Sequence, residues 1–336
     1  MWLSNQTPNR DSLRSERLQL QYTLAVIFAR CNNETLLSNS TALKEMDDKK
    51  KSHEESQLRR LCIWGSSSAY LVGPFIEAIA KSHQYKYIGG GQNGEWGNHT
   101  IARLGARPFN IRIPAKIIPA DAQESIMVKV ANSFPRAAMR KFGGELNGVH
   151  GMLTSSPTSF TFTRSQSGTD TLSAGEYNFI PDIEPIGESD IVLLWIGKND
   201  LNAKNPVINN QDIIVKLAVT ASEWLSTATA RVAVLGHFAN FEAYKTSPEL
   251  FAKIEHINTE YARVFGKQYF DVPSYLYSPE VWFDTEISPT PADLSNQSHR
   301  CLPVSLARDH GAHLNDKANI ALACFLEKKM KNLGWI

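Results

Sequence analysis

The chain has 336 residues, 42% of them hydrophobic and 21% charged, with a formal net charge of +1 at pH 7. That balance suits a globular protein with a sizeable core. It gives no electrostatic reason to expect nucleic acid or an anionic membrane surface as a partner.

The run Tyr22-Thr-Leu-Ala-Val-Ile-Phe-Ala29 is too short to span a bilayer. No small-residue cleavage site follows it, so the sequence predicts cytoplasmic synthesis without export and leaves the place of action open. Residues 1–58 read as a helical appendage and linker. Leu13, Leu18, Leu20, Leu24, Ile27 and Phe28 suggest a helix, and Lys44 to Glu55 is a mixed-charge run of the kind found on solvated helices or linkers. The four cysteines, Cys31, Cys62, Cys301 and Cys324, have no CxxC spacing, which argues against a zinc or redox site. Cys62 and Cys324 are expected as small buried hydrophobes.

From residue 59 to 107 the pattern is a strand (Leu61–Trp64), a serine turn, a helix and a second strand (Tyr85–Ile88), followed by a glycine-rich loop from Gly89 to Gly97. Residues 108–186 read differently. Phe109–Ile113 and Ser159–Thr163 alternate with period two, Ser125–Val130 does so in part, and Gly175–Ile180 looks like a strand. Turn signals at Pro119–Asp121, Gly143–Gly144, Ser155–Pro157 and Ser167–Asp170 separate them. This predicts an antiparallel β-rich module inserted into an α/β core.

The α/β rhythm resumes at 187–336. Strands are predicted at 190–196, 231–236 and 269–272, and helices at 211–225, 248–265 and 314–331. Alternation of this kind predicts a parallel central sheet between layers of helices.

In such a sheet, a site gathers at the carboxyl ends of the strands. Four segments fall there. Gly65-Ser66-Ser67-Ser68 opens a helix, where a serine hydroxyl is exposed and negative charge is favoured; its plain reading is a turn with capping serines. The glycines at 89–97 bring backbone N–H groups close to a ligand oxygen. Gly89, Gly91 and Gly94 also fit G-x-G-x-x-G, but without the Lys-Ser/Thr of a phosphate loop. Gly197-Lys-Asn199-Asp200 supplies a neutral amide donor or simply a turn. Asp309-His-Gly-Ala-His313 supplies a histidine near a carboxylate, as a general base with its orienting acid, as a surface loop, or as part of a zinc site with His310.

In order and placement these four segments resemble the blocks of the SGNH (GDSL-type) hydrolases. The resemblance implies a three-layer α/β/α core at 59–107 and 187–336, with the β-rich insert at 108–186. It puts the nucleophile at Ser67 and the base at His313. The oxyanion donors it implies are the N–H groups of Ser67 and Gly94 and the Asn199 amide. Gly197-x-Asn199-Asp200 matches its block without departure; the family's usual Asp before the nucleophile is Ser66 here. The residue three before His313, where the family carries its acid, is His310, and Asp309 lies four before. Either the loop holds one extra residue and Asp309 reaches His313, or a Ser–His dyad works with a backbone carbonyl as orienter.

The insert, with Leu146-Asn-Gly-Val-His-Gly-Met-Leu153 and Phe160-Thr-Phe-Thr-Arg164, is similar to that of bacterial and phage carbohydrate O-acetyl esterases. The resemblance implies a serine esterase that removes O-acetyl groups from a glycan through an acyl-enzyme, with no metal or organic cofactor. Two alternatives stand beside it. One is a lipolytic esterase or thioesterase of the same fold. The other is a glycan-binding protein with a decayed hydrolase core, favoured by Ser66 and the shifted acid. The α/β-hydrolase motif G-x-S-x-G is one residue away in Gly65-Ser-Ser67-Ser-Ala69, but there the nucleophile follows several strands.

Overall fold

A computed structural model of the chain describes residue 44 and residues 59–336, apart from 114–117, 119, 123 and 170–174. The appendage expected at 1–58 therefore lies, but for Lys44, outside the described residues.

Five parallel strands form the central sheet: β1 (Arg60–Gly65), β2 (Lys86–Gly91), β9 (Ile191–Trp195), β10 (Val232–Leu235) and β11 (Tyr269–Phe270). Their order across the sheet is β11-β10-β9-β1-β2. β1 and β9 are buried at every position, as strands covered on both faces must be. Alternate residues enter two separate cores. Leu61, Ile63, Ile191 and Leu193 pack under α1 (Ser67–Ser82) and α9 (Asp316–Asn332). Cys62, Trp64, Val192 and Leu194 pack under α3 (Gln211–Ser226) and α5 (Pro248–Phe265). The fold is thus α/β, with a parallel sheet between two helical layers.

Between α2 (Gly97–Arg103) and β9 the chain forms six antiparallel strands: β3 (Phe109–Ile113), β4 (Ser125–Val130), β5 (Phe142–Leu146), β6 (Val149–Ser155), β7 (Phe160–Arg164) and β8 (Gly175–Pro181). They close into a barrel in the order β3-β4-β7-β6-β5-β8. The period-two alternation points Phe109, Ile111, Phe160, Phe162 and Phe179 inward to one core.

Three expectations are corrected. Gly143–Gly144 is not a turn but part of β5, because a Cβ at Gly144 would stand 2.4 Å from the Ile180 carbonyl oxygen of the neighbouring strand. Gly89–Gly91 likewise belongs to β2 rather than to a loop, since a Cβ at Gly90 would stand 2.3 Å from the Trp64 ring. Cys324 is exposed, on the outer side of α9, whereas Cys62 and Cys301 are buried. No described helix is long and apolar enough to cross a membrane.

Candidate active site

The sheet order places the carboxyl ends of β9, β1 and β2 side by side. Chain order runs one way from β1 to β2 and the other way to β9, so a crevice opens at their ends. Ser67 leaves β1, Asn93 and Gly94 follow β2, and Lys198 and Asn199 follow β9. All of them line one cleft of about 440 Å³, together with Arg308, Asp309 and His313.

Ser67 is the first residue of α1, so its N–H has no carbonyl of its own helix to bond. Close packing behind it fixes the turn: a Cβ at Gly65 would stand 2.2 Å from the Trp195 carbonyl oxygen. Ser66, at the position of the helix cap, makes no side-chain capping bond.

His313 comes from the C-terminal side of the sheet. A short antiparallel pair, β12 (Ala307–Arg308) and β13 (His313–Leu314), sets Arg308 opposite His313. The four residues between them make a tight turn that begins with Asp309 at φ 50 and includes Gly311 at φ 87. Glycine is required at 311, where a Cβ would stand 2.5 Å from the Phe241 ring. The turn brings Asp309 back over His313 despite the four-residue spacing. His313 Nε2 lies 2.7 Å from Ser67 Oγ. His313 Nδ1 lies 3.2 Å from Asp309 Oδ2. With the ring proton on Nδ1, that nitrogen donates to Asp309 and Nε2 accepts from the serine hydroxyl.

Burial holds the His313 imidazole below the ordinary histidine value; Asp309 opposes that shift, while Lys198 and Arg308 reinforce it. The shift favours the neutral ring, the form that can take a proton. The side chain of His310 lies outside the described residues.

The amide of Asn199 is fixed by donating one Nδ2 hydrogen to the Glu95 carbonyl at 3.1 Å. Its second hydrogen remains for a ligand oxygen. Gly94 has φ +72, and a Cβ there would meet the Ala138 side chain at 3.0 Å. Glu95 anchors the same loop. Its buried carboxylate accepts from Thr100 Oγ1, from Arg103 Nε and Nη2, and from the backbone N–H of Arg140. Asp200 ties the turn after β9 to the start of α2 by accepting the Gly97 N–H with both oxygens, at 3.1 and 2.8 Å.

Lys198 has no assigned part in the sequence reading, yet it lines the cleft. Its Nζ donates to the Ala312 carbonyl at 3.1 Å and sits 3.5 Å from the centre of the Phe238 ring. Burial pushes its ammonium down to about 7. His237 was likewise missed. It is buried under the same turn, with Nε2 at 2.9 Å from the Ile196 carbonyl, and burial lowers it to about 4. A lysine after a glycine reads as surface in a sequence, and nothing local marks it otherwise.

Among the described residues, no group of three or more His, Cys, Asp and Glu side chains is placed to hold a metal ion. The arrangement is chemically complete for moving a serine proton to a histidine beside neutral hydrogen-bond donors.

No family model and no curated protein matches the chain. A solved structure titled "Peptidoglycan O-acetylesterase in action, 5 min" is similar over 84% of this chain and 95% of that chain, at 12% identity and a TM-score of 0.35.

Proposed function

We propose that the chain is a serine ester hydrolase of the SGNH type that removes O-acetyl groups from a carbohydrate. The observation that carries this reading is the chain of contacts from Ser67 Oγ to His313 Nε2 at 2.7 Å and from His313 Nδ1 to Asp309 at 3.2 Å. A decayed core would have no reason to keep a half-buried imidazole on the hydroxyl of a serine at the start of a helix. Asn93, Asn202 and Asn240 line the cleft together with Leu71, Leu250 and Ile254, and the three amides offer hydrogen bonds to the hydroxyls of a sugar. Residues 59–107 and 187–336 are the hydrolase core in this reading, and 108–186 is an insert whose Ala138 packs close behind Gly94.

In the mechanism, Ser67 Oγ attacks the ester carbonyl carbon while its proton passes to His313 Nε2. The oxyanion is held by the N–H groups of Ser67 and Gly94 and by the Asn199 amide. Collapse gives the proton to the departing sugar oxygen and leaves an acetyl group on Ser67. Water then attacks, again through His313, and acetate leaves. Asp309 holds the ring tautomer and the imidazolium that forms.

The test is turnover of p-nitrophenyl acetate and release of acetate from acetylated polysaccharides. Ser67→Ala should lower kcat by about a thousandfold or more. Wild-type protein without turnover on any of these esters would overturn the reading.

A further inference from the structure

Two buried arginines have their acceptors close by. Arg103 gives its guanidinium to Glu95 and to the Gly90 carbonyl. Arg60 gives its own to Asp190, Glu184 and the Pro185 carbonyl. Arg136 is different. It stands on the segment between β4 and β5, with its guanidinium carbon 4.6 Å from the centre of the Trp96 ring. Its Nε is buried without a hydrogen-bond partner. Among the described residues, the carboxylate that acts on it is that of Asp200, which accepts the Gly97 N–H at 3.1 and 2.8 Å.

Arg136 also has a definite place. Its Nη2 is 3.9 Å from where a Cβ on Gly94 would stand, and Gly94 lines the cleft with Ser67. The two basic residues that line the cleft, Lys198 and Arg308, also lack a firm carboxylate partner. Lys198 touches a carbonyl and a ring but no carboxylate. Arg308 is only loosely paired, 3.7 Å from Asp309 and 3.7 Å from Asp316. Asp309 is the one acid among the lining residues, and it is committed to His313.

We propose that the site takes an ester of a sugar that itself carries a carboxylate, and that Arg136 grips this carboxylate at the Gly94 rim of the cleft. The inference rests on the esterase reading and names its substrate class. A guanidinium matches a carboxylate with two parallel N–H bonds, and stacking on Trp96 holds it in place before the ligand arrives. A neutral sugar offers that partly buried cation no counter-charge beyond Asp200, so the site discriminates against it.

The experiment measures binding separately from turnover. Ser67→Ala protein is titrated with three carboxylated saccharides, a galacturonate trimer, N-acetylneuraminate and N-acetylmuramate, each paired with its carboxyl-reduced form. At least one acid should bind about tenfold or more tighter than its reduced partner, the size expected of one charge-assisted pair. Adding Arg136→Gln should remove that preference, and Arg136→Lys should keep part of it, which separates lost recognition from lost folding. No preference in any pair, or a preference that survives Arg136→Gln, overturns the proposal. Wild-type turnover of p-nitrophenyl acetate is read in parallel. Turnover without an Arg136-dependent preference sinks only the substrate class, and the preference without turnover sinks only the esterase reading.

Discussion

In the proposed mechanism His313 must be neutral to accept the Ser67 proton, and its surroundings favour that form. Burial is the largest influence and lowers its proton affinity, with Lys198 and Arg308 adding to it. The acid limb of kcat/KM should therefore lie below the ordinary histidine value of about 6.5. Lys198→Met removes a cation that opposes protonation, so the limb should move to higher pH; a pH profile of p-nitrophenyl acetate turnover checks it, and a limb that stays or falls contradicts this role for Lys198. Asn199→Ala should lower kcat by about a hundred- to thousandfold, the usual cost of one oxyanion donor. Asp309→Asn should lower it by about a hundredfold or more, because the imidazolium loses its counter-charge and an amide that can also donate no longer fixes the ring tautomer. Ser67 and His313 are paired in the sequence only through the resemblance to the hydrolase blocks, since position alone leaves three serines equivalent; in the structure His313 Nε2 lies 2.7 Å from Ser67 Oγ. Asp309 was harder to read, because spacing alone does not show a turn that starts in the left-handed region at φ 50. Arg136 was not legible: its place beside Gly94 depends on how a distant barrel docks.

The strands of the sheet were readable because continuous apolar runs have one good environment, a strand covered on both faces. The helices at Gln211–Ser226 and Pro248–Phe265 followed from 3.6-residue periodicity and from a proline at the first helical position. Glycine misled the reading twice. In β2 and β5 it permits close approach of a neighbour within a strand, whereas a sequence shows only a residue that favours turns. The β5–β6 hairpin did carry a signal that went unused: Asn147 and Gly148, both with positive φ, sit between Leu146 and Val149. A Cβ at Gly148 would touch nothing within 4 Å, so any cost there is conformational. Gly148→Ala should destabilise the protein by about 1 kcal/mol, read by urea unfolding. An unchanged midpoint would contradict the turn assignment.

The barrel and the sheet share one anchoring residue. Glu95, after β2, binds Arg103 of α2 and the Arg140 backbone just before β5, while its carbonyl holds Asn199. Asn98 and His99 add contacts to Ser133 and the Phe134 carbonyl. Glu95→Ala leaves the Arg103 guanidinium buried without its carboxylate, and should cost about 3–5 kcal/mol of stability in thermal or denaturant unfolding. Barrel closure itself could not be read from the sequence, because β8 pairs with β3 and β5 across long separations. Period two reports a face, not a partner.

Acylation of Ser67 is the step on which the proposed mechanism stands. It is read from protein quenched in acid during turnover of p-nitrophenyl acetate, then digested and analysed by mass spectrometry. One acetyl group is expected on the Ser67 hydroxyl, absent from Ser67→Ala and accumulating in His313→Ala only far more slowly. Ester turnover with no acetyl group on Ser67, or with rates unaffected by Ser67→Ala, would contradict it.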